Sequence, residues 1–199
     1  SSGQGPGQSV RDIIGHYSGP SYIYDLRELS ARADAFALAV GNLQHSVHYA
    51  MKANSHPQIL ATLASKGFGV DTVSGGEIRR ALEAGVSAAK IVFSGVAKTA
   101  AEIDFALRQK IKQINVESPQ ELRRIAEIAA QLGTPASVAL RLNPDVNPQT
   151  HPYITTGFKE NKFGMDESFV PEIMEILSEQ KKNLRLRGLT LHIGSLLFD

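Results

Sequence analysis

The sequence predicts an α/β protein folded as a parallel (β/α)8 barrel of the TIM type, present as an incomplete barrel of about six βα units. Three observations carry this. Short β-branched or aromatic runs recur about every 22 to 24 residues, enough for a strand and a helix and far more than a hairpin needs. Helix-start signals fall in register with that repeat. No Gly-x-Gly-x-x-Gly follows any strand, Ser74-Gly75-Gly76-Glu77 having the wrong spacing, which argues against an open dinucleotide-binding sheet. Six strands would leave two unpaired edges where a closed barrel has eight strands, so the sequence reads as the N-terminal portion of a longer protein. An open six-stranded domain, complete as it stands, is the alternative architecture.

Taken in order, residues 1–19 have the composition of a flexible or tag-like N-terminus. Residues 20–45 form a lead-in, with a strand at Ser21-Tyr22-Ile23-Tyr24, Asp25 as N-cap, and a helix from Leu26 to Leu43. That helix places Leu29, Ala33, Phe36 and Val40 on one face. The barrel portion, 46–199, opens with a strand from Ser46 to Met51 and a helix from His56 to Lys66. Further strands are expected at Gly69 to Val73, Ile91 to Phe93, Gln113 to Val116, Ser137 to Leu142 and Leu186 to Ile193. Helices from Gly75 to Ala84, Ala100 to Lys110, Pro119 to Leu132 and Glu167 to Glu179 separate them.

Ser74 with Glu77, Thr99 with Glu102 and Ser118 with Glu121 each set a hydroxyl three residues before a glutamate, the pattern of a reciprocal capping box. Gly67, Gly85 and Gly133 close helices.

Composition narrows the function. The chain has 199 residues, 42% of them hydrophobic, and a net charge of +1, which gives no electrostatic footprint for nucleic acid or an anionic membrane. With no cysteine there is no disulfide, thiolate metal site or cysteine nucleophile, and no metal site is predicted. No apolar run reaches the roughly 18 residues that span a bilayer.

Barrel enzymes place their chemistry at the C-terminal ends of the strands. Reading each strand to its end gives Lys52, then Asp71 with Ser74, Ser94, Glu117, Arg141 with Asn143, and finally His192 with Ser195. A lysine there can condense with a carbonyl group if its amine is kept partly neutral, and cationic neighbours favour that state. Asp71 and Arg141 are equally compatible with membership of a structural ion pair. The residues from Asn143 to Phe163 form an unusually long connection, stiffened by Pro144, Pro148 and Pro152 and bearing Tyr153, Phe158 and Phe163. Such a loop covers a site, joins an interface or packs on itself.

These strand ends carry a family likeness. Tyr49-Ala50-Met51-Lys52-Ala53-Asn54, Gly69-Val70-Asp71-Thr72-Val73-Ser74-Gly75-Gly76-Glu77, Ile91-Val92-Phe93-Ser94-Gly95 and Leu191-His192-Ile193-Gly194-Ser195 resemble the strand motifs of pyridoxal-phosphate-dependent decarboxylases with the alanine-racemase-like barrel. Asn115-Val116-Glu117-Ser118, Arg141-Leu142-Asn143-Pro144-Asp145-Val146, Thr150-His151-Pro152-Tyr153 and Lys159-Glu160-Asn161-Lys162-Phe163-Gly164 are similar to the diaminopimelate branch of that group. The likeness runs from Pro20 to the last residue.

The resemblance implies a cofactor, pyridoxal 5'-phosphate, bound to Lys52, with Lys52 and His192 as catalytic residues. It implies cofactor contacts from Asp71, Arg141, His192, Gly194 and Ser195. The implied reaction is decarboxylation of meso-2,6-diaminopimelate to L-lysine and CO2, the last step of lysine biosynthesis. It further implies an amino-acid substrate, a homodimer in the full-length form, and a location in the cytoplasm, with a plastid left open. An ornithine, arginine or carboxynorspermidine decarboxylase, or a non-catalytic cofactor-binding homologue, are the alternatives.

Two departures stand out. Leu196 occupies a position where the family usually has glutamine, and the family's glycine-rich phosphate loop, ring-nitrogen acid and C-terminal β-domain are expected beyond residue 199. The 199-residue chain alone is therefore expected to be inactive.

Overall fold

The computed structural model describes Gly15 and residues 19–143 and 163–192. Six strands form one sheet: β1 (His48–Ala50), β2 (Gly69–Thr72), β3 (Ile91–Phe93), β4 (Gln113–Val116), β5 (Ala136–Leu142) and β6 (Leu184–Leu191). Every pairing is parallel and the spatial order equals the sequence order, β1-β2-β3-β4-β5-β6. A doubly wound sheet reverses direction at a switch point, whereas a barrel wall adds each strand on the same side of the last. The described sheet never reverses, which makes it a barrel wall of six strands.

Six helices alternate with the strands: α1 (Leu26–Val40), α2 (Pro57–Ser65), α3 (Gly75–Glu83), α4 (Ala100–Arg108), α5 (Pro119–Leu132) and α6 (Val170–Glu179). Each touches the next in order, so they form one layer along one face of the sheet. The period of two in each strand sorts side chains between that layer and the barrel interior. Val70, Ile91, Phe93, Ile114, Val116, Val138 and Leu140 face the helices and join Ile78, Ile103, Leu122 and Ile125 in the main core. Burying a side chain such as Phe93 or Leu122 contributes about 2 kcal/mol. Asp71, Val92, Asn115 and Arg141 face the other way and line the interior.

Helix boundaries follow local chemistry. Ser74, Thr99 and Ser118 each accept a hydrogen bond from the backbone N–H three residues on. Only Thr99 and Glu102 complete the reciprocal box. The other two expected boxes are corrected: the Glu77 and Glu121 carboxylates accept from Val73 N and Glu117 N, one residue before the cap. Those N–H groups have left the sheet ladder at a strand end, so they need the acceptor. Gly67, Gly85 and Gly133 all have left-handed φ, as their closing role requires. Gly69 is set by space instead, since a Cβ there would collide with the Lys90 carbonyl oxygen and the His48 ring.

The lead-in departs most from expectation. Residues 21–24 form no strand, and Tyr22 is 92% exposed. Aromatic and β-branched residues favour a strand only where a neighbouring strand pairs with them, and none among the described residues does. Asp25 does cap α1, accepting from Arg27 N at 2.8 Å and Glu28 N at 3.3 Å. The helix ends before Leu43 because Gly41 takes a left-handed φ. Of its expected apolar face, Ala33 is buried against Ile59 and Leu63, while Phe36 is exposed.

Candidate active site

β1 gives way to a tight turn at Met51–Ala53, held by Ala53 N donating to Ala50 O at 3.1 Å and Met51 N to Asp71 O at 3.0 Å. Lys52 occupies that turn, exposed, at the mouth of the barrel interior. The Tyr49 hydroxyl donates to Asn54 O at 3.1 Å and pins the loop that follows. An open cavity of about 1100 Å³ extends from here into the barrel. Lys52, Asp71, Ser94, Asn115, Arg141 and His192 all line it. Four of the site residues expected from sequence, Lys52, Asp71, Arg141 and His192, thus converge on one space from β1, β2, β5 and β6. Ser74 is the N-cap of α3 and does not line the cavity. Gly194, Ser195 and Leu196 lie outside the described residues, as does the 144–162 part of the long connection.

Two carboxylates are held differently. Asp71 accepts from the Ser94 hydroxyl. Burial raises its pKa, opposed in decreasing order by the Ser94 hydrogen bond and the charges of His48, Lys52 and Arg141. Glu117 instead accepts from Arg141 Nη1 at 2.7 Å and from Gly164 N at 3.0 Å. The ion pair that sequence left open for Arg141 is therefore with Glu117. Met165 N donates to Arg141 O at 2.7 Å and Asn143 N to Met165 O at 2.9 Å, so the chain returns from the long connection directly beside Arg141. The Arg141 guanidinium also lies 5.5 Å from the centre of the Phe163 ring.

His192 follows β6 at the cavity lip. Partial desolvation, then Arg141, then Lys52 lower its pKa, with Asp71 opposing. The imidazole is thereby biased to its neutral form.

His48 and Asn115 line the cavity as well, though neither stood out in the sequence. Asn115 had a usable signal. Gln113, Asn115 and Glu117 alternate along one strand and must share a face. His48 accepts no such simple rule; its ring sits beside Lys112 Nζ at 2.9 Å near the start of the strands.

Residues 26–199 match the pyridoxal-binding domain of the pyridoxal-dependent decarboxylases. The chain belongs to this family. Its relatives include diaminopimelate decarboxylase of Vibrio cholerae, 45% identical over 186 residues, which cover 94% of this chain and 44% of that protein. The corresponding enzyme of Neisseria meningitidis serogroup A is 47% identical over 180 residues, 90% of this chain and 44% of that protein. Among solved structures, Helicobacter pylori diaminopimelate decarboxylase complexed with L-lysine superposes with a TM-score of 0.86 at 42% identity, covering 96% of this chain and 48% of that one. The arginine decarboxylase of Paramecium bursaria Chlorella virus, at 23% identity and a TM-score of 0.72, shares the fold. The chain spans a little under half the length of these relatives.

Pyridoxal 5'-phosphate is the cofactor of such decarboxylases, and the residues present suit it. A primary amine, a neutral-biased imidazole and a guanidinium border a space large enough for a ligand of that size. No helix among the described residues is long and apolar enough to cross a membrane.

Proposed function

We propose that this pyridoxal-dependent decarboxylase removes the carboxylate at the D-configured carbon of meso-diaminopimelate, yielding L-lysine and CO2. The observation that carries the reading is the convergence of Lys52, Asp71, Arg141 and His192 from four strands on one cavity. Relatives at 45% and 47% identity are diaminopimelate decarboxylases, which supports this substrate over ornithine, arginine or carboxynorspermidine. Bound pyridoxal phosphate supplies an electron sink for the pair left behind when the carboxylate departs as CO2.

The protein's own residues do the rest. Lys52 holds the cofactor through its ε-nitrogen and afterwards delivers a proton from Nζ to the carbon that lost the carboxylate. His192 would offer a neutral-biased imidazole to the cofactor and orient the bond to be broken. Arg141, fixed by Glu117, and Asp71 set the charge around that amine. The Ser195 hydroxyl and the Gly194 N–H are suited to the cofactor phosphate. A homodimer and a cytoplasmic location belong to the same reading, and the family likeness supports both.

The test is borohydride reduction of the cofactor-loaded full-length protein followed by peptide mapping, with CO2 release assayed on each candidate amino acid. We expect the pyridoxyl group on Lys52 and release from meso-diaminopimelate. An adduct on a different lysine would end the assignment.

A further inference from the structure

The inner face of β2, β3 and β4 carries a continuous chain of side-chain hydrogen bonds. Gln113 Nε2 donates to Asn115 Oδ1 at 2.9 Å, Asn115 Nδ2 donates to Ser94 Oγ at 2.8 Å, and the Ser94 hydroxyl donates to Asp71 Oδ1. Every link points the same way, the direction that an ionised, acceptor-only Asp71 at the end of the chain requires. The Asn115 carbonyl oxygen is taken by Gln113, so the amide presents its NH2 to Ser94. An NH2 only donates, so Ser94 must accept. The single hydroxyl proton of Ser94 is then left for Asp71.

The chain is also anchored. Asn115 is only 9% exposed, and its backbone carbonyl accepts from Lys98 Nζ at 2.7 Å. Lys98 is itself buried and paired with Glu121 at 2.9 Å. Ser94 N donates to Thr72 O at 2.8 Å, which fixes the strand position of the hydroxyl.

We propose that Asn115, acting through Ser94, is a positioning residue that keeps the Ser94 proton directed at Asp71 and so holds Asp71 ionised beside Lys52. The need for such a device is physical. Burial alone drives Asp71 toward its neutral form, and a neutral carboxyl would not balance the cations that border the cavity. The charged or titratable groups facing Asp71 are His48 and Lys52 from the β1 side, Arg141 from β5 and His192 from β6. These are shared with the cavity and change with its contents, whereas the Gln113-Asn115-Ser94 chain is built into the wall. A hydrogen bond to the charged form lowers a carboxyl pKa, and polarisation along a chain strengthens its last link.

The inference rests on Lys52 being the cofactor-bearing lysine, and its experiment separates the two. In full-length, cofactor-free protein labelled at aspartate Cγ, carbon NMR follows the titration of Asp71, assigned by the signal that Asp71→Asn removes. Asn115→Leu is expected to raise the midpoint by about one pH unit, and Ser94→Ala by more. Ser94→Thr, which restores a hydroxyl, should return it to the wild-type position. Gln113→Met, at a half-buried site, should raise it in the same direction by less. In loaded protein, the acidic limb of the kcat/KM profile should move with the NMR midpoint. Midpoints unchanged in both Asn115→Leu and Gln113→Met would overturn the proposal. A borohydride adduct away from Lys52 with the NMR shifts intact would instead sink the cofactor assignment alone.

Discussion

Asp71 and Glu117 end strands two places apart on the same sheet, yet their surroundings are opposite. Glu117 is clamped by two donors, a guanidinium and a backbone N–H, one on each carboxylate oxygen. Asp71 is held by one hydroxyl at the end of a neutral polar chain, and burial works against its charge. The difference separates a structural carboxylate from a responsive one. Glu117 fixes Arg141 and the returning chain, so it is part of the wall. Burial pushes the Asp71 pKa up, and the Ser94 hydroxyl opposes that push beside the amine whose protonation the proposed reaction must change.

Breaking the clamp should give the largest effect. Glu117→Leu leaves the Arg141 guanidinium and Gly164 N–H without their acceptor inside a wall where Arg141 is only 18% exposed. We expect a loss of about 3 kcal/mol in urea unfolding of the full-length protein. A loss near zero would show that the clamp does not differ from a surface pair.

Asp71→Asn should act in the other sense. The Asp71 pKa is higher folded than unfolded, so the folded state keeps a proton that the unfolded state has released as pH climbs above 3.8. Ionisation therefore subtracts stability through the window between 3.8 and the raised value. The amide variant should be more stable than wild type at neutral pH, with the gain disappearing below pH 3.8. Decarboxylation should nonetheless fall by about a hundredfold, since a group that sets charge beside a proton-transfer site is removed. Unfolding curves at pH 3.5 and 7 and steady-state rates check both halves.

The smallest effect is expected at Glu102, a clamped carboxylate outside the cavity. Its oxygens accept from Gly75 N at 2.9 Å, Thr99 N at 3.0 Å and the Thr99 hydroxyl at 2.8 Å. The hydrogen bond from Gly75, followed by that from Thr99, lowers its pKa. Its contribution is present above the ordinary value of 4.5 and is lost as pH falls through the lowered one. Glu102→Gln should cost about 1 kcal/mol at pH 7, a typical capping loss, and nothing in strong acid. A pH-independent difference would remove the contrast with Asp71.

Much of the frame was legible. β4 and α5 fall on the expected residues, Gln113–Val116 and Pro119–Leu132, because alternation, a serine cap, Pro119 and Gly133 all act within a few residues of one another. Lys52 was legible as a strand-end lysine for the same reason. The strand expected at 21–24 failed because pairing needs a second strand. The reciprocal boxes expected at Ser74 and Ser118 failed because the preceding strand offered the glutamates another donor. Asn115 was not legible as a site residue because it lies within β4, ahead of the strand end where barrel chemistry concentrates.

By itself, the sequence determined the alternation of strands and helices, the face each strand residue takes and the family to which the motifs point, since these depend on local periodicity and capping. Only the tertiary structure decided that Ser94 meets Asp71 across 23 residues and Asn115 across 21, and that Arg141 pairs with Glu117. Those partners are set by parallel register between neighbouring strands, and register is chosen by how the buried outer faces pack on the helix layer, which no local pattern records.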